Sequence, residues 1–491
     1  MLKILLKILM MSSKIEYAED KKDNAVINRY SRQELISGWD QKKIENSSVA
    51  LIGSGNLAYF TSASLVALGF GNVEIYGDEK IKENEFLFNL VDKRYSKVET
   101  LEEILSKINP LVNVIGVHAG MGDNDLIFLM EKPKVIIDVT NNPRSKDIII
   151  NYSRRENIPV ISASTDIYQG ELHIIKPRDK RLKKWLLDEY DGLKQGNIPS
   201  AVLAGIITEE ARKIVMKINK DDIPIKNFYY SSISRTRFSK EDTNNNEEIS
   251  LEDKYALVVG AGALGNFVTL GLTLNNIGKL DILDFDDVEP HNLNRQLLFY
   301  DNVGEKKSLS LASKIKKINP EVKVNGIVDK LDEKFEKYFR KNKPDIILDC
   351  VDNLSTRAIA NYFAIKYKIP LISGGTDPYA GQVVVYKPGE SACLDCKLKV
   401  DKALAKERTS HSCTYAAQPS VITTNQIIGG LMVGEVMAVL DPENHREFVK
   451  KTIKYDSRNP SRAGLVGSGN ICNCKRGTIK KWLNDVMKKA E

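Results

Sequence analysis

Short apolar runs and segments of helical period alternate along this chain, and the same order of them occurs twice. From residue 49 to about 220 the runs VALIG, NVEIYG, VIIDVT, IPVISAS and ELHIIK are separated by amphipathic stretches. Buried strands alternating with helices predict βαβ units and a mainly parallel sheet. Residues 27–47 are a polar, helical lead-in, and residues 236–250 are polar, asparagine-rich and without period, which reads as a linker. From 255 the order returns as YALVVG, KLDILDF, PDIILDC, IPLISGG and GQVVVYK.

The repeat extends to the letters. INPLVNV (108–114) aligns with INPEVKV (318–324), and IIDVTNNPRS (136–145) with ILDCVDNLST (347–356). IPVISASTDIYQGELHIIKP (158–177) aligns with IPLISGGTDPYAGQVVVYKP (369–388), and the apolar stretch 198–215 resembles 418–436. The expected fold is therefore α/β, with two tandem Rossmann-like, doubly wound domains. Their boundaries fall at 27–235 and 251–445, between an N-terminal extension (1–26), the linker and a C-terminal segment (446–491). The opening MLKILLKILMM is too short to span a bilayer and lacks a small-residue cleavage site, so we expect no membrane segment, a cytoplasmic protein, and a true start as late as Met10 or Met11.

With 491 residues the chain can bury two or three cores, and its net charge of +7 comes from scattered lysines. Nucleic-acid binding would need a basic stripe with aromatics, and none is found. Chemistry concentrates in the second repeat. There Gly260-x-Gly262-x-x-Gly265 follows an apolar strand and opens a helix, the context in which amides and the helix dipole hold phosphate. The first repeat has Gly53 and Gly55, but Ala58 in place of the third glycine. Asp284 ends the second strand, where an acid holds ribose hydroxyls, and to this point an NAD-dependent oxidoreductase would fit equally well. Arg295 and Lys307 add two cations suited to a triphosphate, and Asp286 and Asp352 two acids suited to Mg²⁺. A dehydrogenase needs no such set, whereas nucleotidyl transfer does. Taken singly, the acids read as helix caps and the cations as surface charges. The first repeat shows none of these charges at matching points.

DFDDVEPHNLNRQLLF (284–299), followed by VGEKK, INP and DCVDN, resembles the adenylation domain of ubiquitin-activating and sulfur-carrier-activating enzymes of the ThiF/MoeB/HesA type. The resemblance covers about residues 27–440. It implies that Asp284 binds ribose, that Asn292, Arg295 and Lys307 contact the phosphates of ATP, that Gln296 orders their loop, and that Asp286 and Asp352 hold Mg²⁺. Arg29-Tyr30-Ser31-Arg32-Gln33 matches the family's RYxRQ lead-in, whose second arginine reaches across a dimer into the partner's site. Arg32 would then be an arginine finger supplied by an inactive half to an active one, a pseudo-dimer within one chain. Thr140-Asn141-Asn142 replaces the metal-binding V-D-N in the first half, which is assigned no catalysis of its own.

The cysteines fall into two pairs and two singles. Cys393-x-x-Cys396 and Cys472-x-Cys474 offer four thiolates for a tetrahedral Zn²⁺; redox or free thiols are the other reading. Cys350 lies inside an apolar strand and reads as packing. Cys413, in SHSCTYAAQPSV, occupies the region where family members carry a cysteine that attacks the adenylate to form a thioester; a buried structural thiol is the other reading. The implied function is ATP-dependent activation of a small ubiquitin-like or sulfur-carrier protein ending in Gly-Gly, with a downstream conjugating enzyme or sulfur donor. A nucleotide-binding scaffold without turnover is the alternative.

Overall fold

The structure is a computed structural model that describes residues 29–82, 85–91, 96–119, 132–178, 190–218, 222–240, 250–400, 418–442, 445, 447–472 and 474. The N-terminal extension lies outside these residues. Two short helices, α1 (Ser31–Glu34) and α2 (Gln41–Glu45), lead in. The first unit runs β1 (Ser48–Ile52), α3 (Asn56–Leu68), β2 (Asn72–Gly77), α4 (Lys97–Ile108), β3 (Asn113–His118), β4 (Val135–Asp138), α5 (Pro143–Glu156), β5 (Val160–Thr165), β6 (Gln169–Ile175), α6 (Asn197–Val215) and β7 (Asn227–Ser231). The second runs β8 (Tyr255–Val259), α7 (Ala263–Leu274), β9 (Lys279–Leu283), α8 (Lys307–Ile318), β10 (Lys323–Ile327), α9 (Glu336–Lys341), β11 (Ile346–Asp349), α10 (Leu354–Tyr367), β12 (Leu371–Thr376), β13 (Ala380–Tyr386), α11 (Leu394–Leu398), α12 (Ile422–Leu440), β14 (Thr452–Asp456) and β15 (Gly464–Val466).

The sheets have the orders β3-β2-β1-β4-β5-β6-β7 and β10-β9-β8-β11-β12-β13-β14-β15. In each, the five strands up to β5 or β12 run parallel and the rest antiparallel. This is the tandem α/β fold the apolar pattern predicts. Helices cover both faces, so the central strands β1 and β8 are buried along nearly their whole length and are written almost entirely in apolar residues. Local chemistry sets the helix ends: Asn353 caps α10 through the Thr356 amide at 2.8 Å, and Ser96 and Glu99 form a capping box on α4. Strand order reverses on either side of β8, which opens a crevice at the carboxyl ends of β8, β9 and β11, the usual ligand position in open α/β sheets.

One apolar core runs through both halves. At the seam, α6 and α12, the corresponding last long helices of the two repeats, pack on each other and are buried almost throughout. Among the described residues α12 is the one helix long and apolar enough to cross a membrane, and it is wholly buried in this core. Polar clasps fix the seam: Arg237 pairs with Glu435 at 2.6 Å, Thr423 donates to Glu209 at 3.2 Å, and Asn294 donates to Gln33 at 2.9 Å. The buried acids of these clasps are paired, Glu435 with Arg237 and Glu209 with Arg212, as burial demands.

Candidate active site

Gly260 follows β8 directly at φ +94°, and a Cβ there would lie 2.9 Å from the Cys350 carbonyl oxygen. Gly262, two residues on, is different. Its backbone (φ −69°, ψ −156°) suits any residue, and a Cβ would meet nothing nearer than Gln296 Nε2 at 3.9 Å. Packing within the protein therefore does not require this glycine; a ligand approaching the amino end of α7 would. Gln296 is buried beside the same space, and its Oε1 has no hydrogen-bond partner among the described residues. An open cradle next to an orphaned buried acceptor fits a nucleotide.

Asp284 faces this turn from the end of β9. Its carboxylate accepts from the Ala261 amide at 2.7 Å and the Asp286 amide at 2.8 Å, and burial raises its pKa against the pull of Lys307. Asn292 caps the turn 290–292 by accepting from the Glu289 amide at 2.9 Å. Lys307, the first residue of α8, is buried with Nζ 3.1 Å from Asp286 Oδ2, whereas Lys306 points outward to Asp287 at 2.8 Å. Asp286 and Asp352 are both exposed at the rim of the crevice, hard oxygen donors suited to Mg²⁺.

Arg295 is buried and donates to the His291 carbonyl at 2.7 Å and to Asn294 Oδ1 at 2.8 Å. Burial and the neighbouring Arg32 guanidinium push its pKa down to about 10, against the pull of Asp352. Arg32 comes from α1 of the other half; its Nη2 lies 3.2 Å from His291 Nε2, and its carbonyl accepts from the Ser420 amide at 3.1 Å. Two guanidiniums from opposite halves thus converge in a partly dry place, where burial and the charge of Arg32 weigh against that of Arg295, the electrostatics of an anion site.

The first half shows what replaces such a site. Gly77 stands where Asp284 stands, and a Cβ there would lie 2.8 Å from Ser54 Oγ. Asn141, in the left-handed region at φ +52°, stands where Asp352 stands and donates to the Thr165 carbonyl at 2.6 Å. The expectation that this half lacks all the matching charges needs correction. Lys97 opens α4 as Lys307 opens α8; its amide donates to the Glu79 carbonyl at 3.0 Å, as that of Lys307 does to Asp286 at 2.9 Å. Its Nζ lies 2.5 Å from both Glu79 and Glu85, a closed ion pair with no cation left over. A further acid, not singled out from sequence, is kept in both halves. Asp349 accepts from Ser373 Oγ at 2.6 Å beside Arg357, and Asp138 accepts from Ser162 Oγ at 2.7 Å, with Lys146 supplying the nearby positive charge. The shared LD and ID at the ends of β11 and β4 were the available signal.

The ThiF family profile matches residues 30–249 and again 240–474. The chain belongs to the ThiF family. SUMO-activating enzyme subunit 2 of Dictyostelium discoideum is 32% identical over 230 residues, 46% of this ThiF chain and 33% of the relative. Adenylyltransferase and sulfurtransferase MOCS3-1 of Zea mays is 34% identical over 185 residues, 37% of this chain and 39% of the relative. Molybdopterin-synthase adenylyltransferase of Salmonella typhimurium is 36% identical over 149 residues, 30% of this chain and 59% of the relative. The ThiF chain thus spans between a third and about three fifths of the curated relatives it matches. The solved structure of E. coli MccB with ATP covers 45% of this chain and 67% of its own, at 21% identity and a TM-score of 0.39.

In this ThiF chain Cys393, which caps α11, and Cys396 within it meet Cys472 and Cys474, with all four sulfurs within 4.8 Å of one another. Tetrahedral Zn–S bonds of about 2.3 Å put sulfurs about 3.8 Å apart, so the cluster could hold zinc without rearranging the chain. The Cys393 amide already points at Cys472 Sγ, 3.1 Å away, and burial with the crowding of neighbouring sulfurs pushes Cys393 up to about 12. Cys350 is buried, and burial raises its pKa. Cys413 lies outside the described residues.

Proposed function

We propose that the chain is an ATP-dependent activating enzyme for a small ubiquitin-like or sulfur-carrier protein. Residues 251–445 form its active adenylation domain and residues 27–235 an inactive partner, the two making a monomeric pseudo-dimer in the cytoplasm. The observation that carries this is the convergence of Arg32 and Arg295, from opposite halves, beside an open glycine cradle. A dehydrogenase has no use for two crossing guanidiniums; a triphosphate does.

In this reading Asp284 binds ribose, the Gly260–Gly265 turn and Asn292 take the phosphates, and Gln296 orders the loop between them. Arg295, Lys307 and Arg32 neutralise the charge that develops on the leaving pyrophosphate. Asp286 and Asp352 would hold Mg²⁺, which supplies further neutralisation of phosphate charge when bound. The carrier's C-terminal carboxylate, ending in Gly-Gly, attacks the α-phosphate, so pyrophosphate leaves and an acyl-adenylate forms. Cys413 then accepts the acyl group as a thioester and AMP leaves, after which a conjugating enzyme or sulfur donor takes over. Zn²⁺ at the four cysteines would clip the chain end to the sheet.

The test is ATP–pyrophosphate exchange with each small Gly-Gly-ended protein from the same genome. Exchange that depends on one of them supports the reading and names the carrier; Mg·ATP binding without exchange for any of them would favour a scaffold. Cys413→Ala should leave exchange intact and remove the covalent adduct.

A further inference from the structure

His291 lies between the two halves at the point where Arg32 arrives. Its Nδ1 is 2.9 Å from Glu289 Oε2, and its Nε2 is 3.2 Å from Arg32 Nη2. A guanidinium can only donate, so Nε2 must accept and the ring proton must sit on Nδ1, donated to Glu289. Four charged groups face the ring: Arg32 from α1, Glu289 and Arg295 from its own loop, and Lys307 from α8. Burial and the three cations together lower the pKa of His291 from its ordinary value, against Glu289, so the ring is neutral at physiological pH. The contact with His291 is the one side-chain hydrogen bond of Arg32 among the described residues.

We propose that His291 is a positioning residue whose neutral imidazole holds Arg32 of the first half over the nucleotide site of the second, and whose protonation releases it. This rests on the adenylation reading above. Protonation turns Nε2 from an acceptor into a donor facing a guanidinium, and the contact becomes repulsive. The structure thereby couples the seam between the halves to pH. As pH falls through the lowered His291 pKa, Arg32 loses its anchor while Arg295 and Lys307 stay where their own loops hold them.

The experiment has two arms, both on the full chain. In the first, the five histidines are followed by nitrogen–proton NMR through a pH titration. Wild type should show His291 as the Nδ1–H tautomer with a pKa below about 6.5, and Arg32→Ala should raise that pKa. An Nε2–H tautomer, or a pKa unmoved by Arg32→Ala, overturns the contact. In the second arm, pyrophosphate exchange is measured against pH. His291→Gln keeps an acceptor that does not titrate, so it should retain activity at neutral pH and lose the acid limb seen in wild type. His291→Phe should match the fall of about a hundredfold expected for Arg32→Ala, and the double variant should be no worse than either. An acid limb that survives in His291→Gln, or losses that multiply in the double variant, would sink the positioning role. If wild type exchanges with no carrier, the adenylation reading fails, while the NMR arm still decides whether His291 anchors Arg32.

Discussion

Gly55 and Gly262 occupy the same place in the two halves, each opening the helix after the first strand, yet their surroundings are opposites. A Cβ on Gly55 would lie 2.4 Å from Gln195 Oε1, while one on Gly262 would meet only Gln296 Nε2 at 3.9 Å. In the first half Gln195 fills the cradle: its Oε1 accepts from the Leu57 amide at 3.0 Å and its Nε2 donates to the Val139 carbonyl at 2.9 Å. The amino end of a helix presents amides that need partners, so a turn of this shape that holds no ligand needs some other group to satisfy it. The first half has the same turn in its backbone and satisfies it with its own side chain.

The largest effect should come from the acids. Asp352→Ala is expected to lower pyrophosphate exchange by at least about a thousandfold, whereas Asn141→Asp at the matching place should change nothing in the assay. Activity surviving Asp352→Ala would remove this residue from the metal set and favour a scaffold. Next come the glycines. Gly262→Val should weaken Mg·ATP binding by about a hundredfold, because its side chain enters the cradle, and should shift the thermal midpoint by no more than about 2 °C. Gly55→Ala should do the reverse, costing about 1–3 kcal/mol of stability by displacing Gln195 with no change in exchange per folded molecule. Equal behaviour of the two variants in both assays would erase the distinction between a filled and an open turn. Smallest is Gln195→Ala, which should cost about 1–2 kcal/mol in denaturant unfolding through the two hydrogen bonds it loses. A Gln195→Ala protein that also gains a second nucleotide site would show that the plug alone keeps the first half silent.

What the sequence made legible was what lies in one contiguous stretch. Asp284, Asn292, Arg295 and Gln296 could be picked out because a single loop carries them, and α/β class followed from apolar runs that strand burial enforces. Gln195 could not be picked out, since it reaches Gly55 from about 140 residues away through a loop with no pattern of its own. Lys97 escaped for a simpler reason. The connection from the Lys80–Ser96 bridge is three residues shorter than its counterpart from Asp287 to Lys306, so matching the glycine loops puts the two helix starts out of step. The tautomer of His291 depends on Arg32, which belongs to the other half.

The seam has a consequence for how the molecule is made. Helix α6 is complete about 200 residues before α12, its cover, begins. At ribosomal speeds of about 5–20 residues per second, that interval lasts about 10–40 s. Throughout it the emerging first half carries an apolar helix face whose natural neighbour does not yet exist. Until translation catches up, this half depends on whatever in the cell shields greasy surfaces on nascent chains.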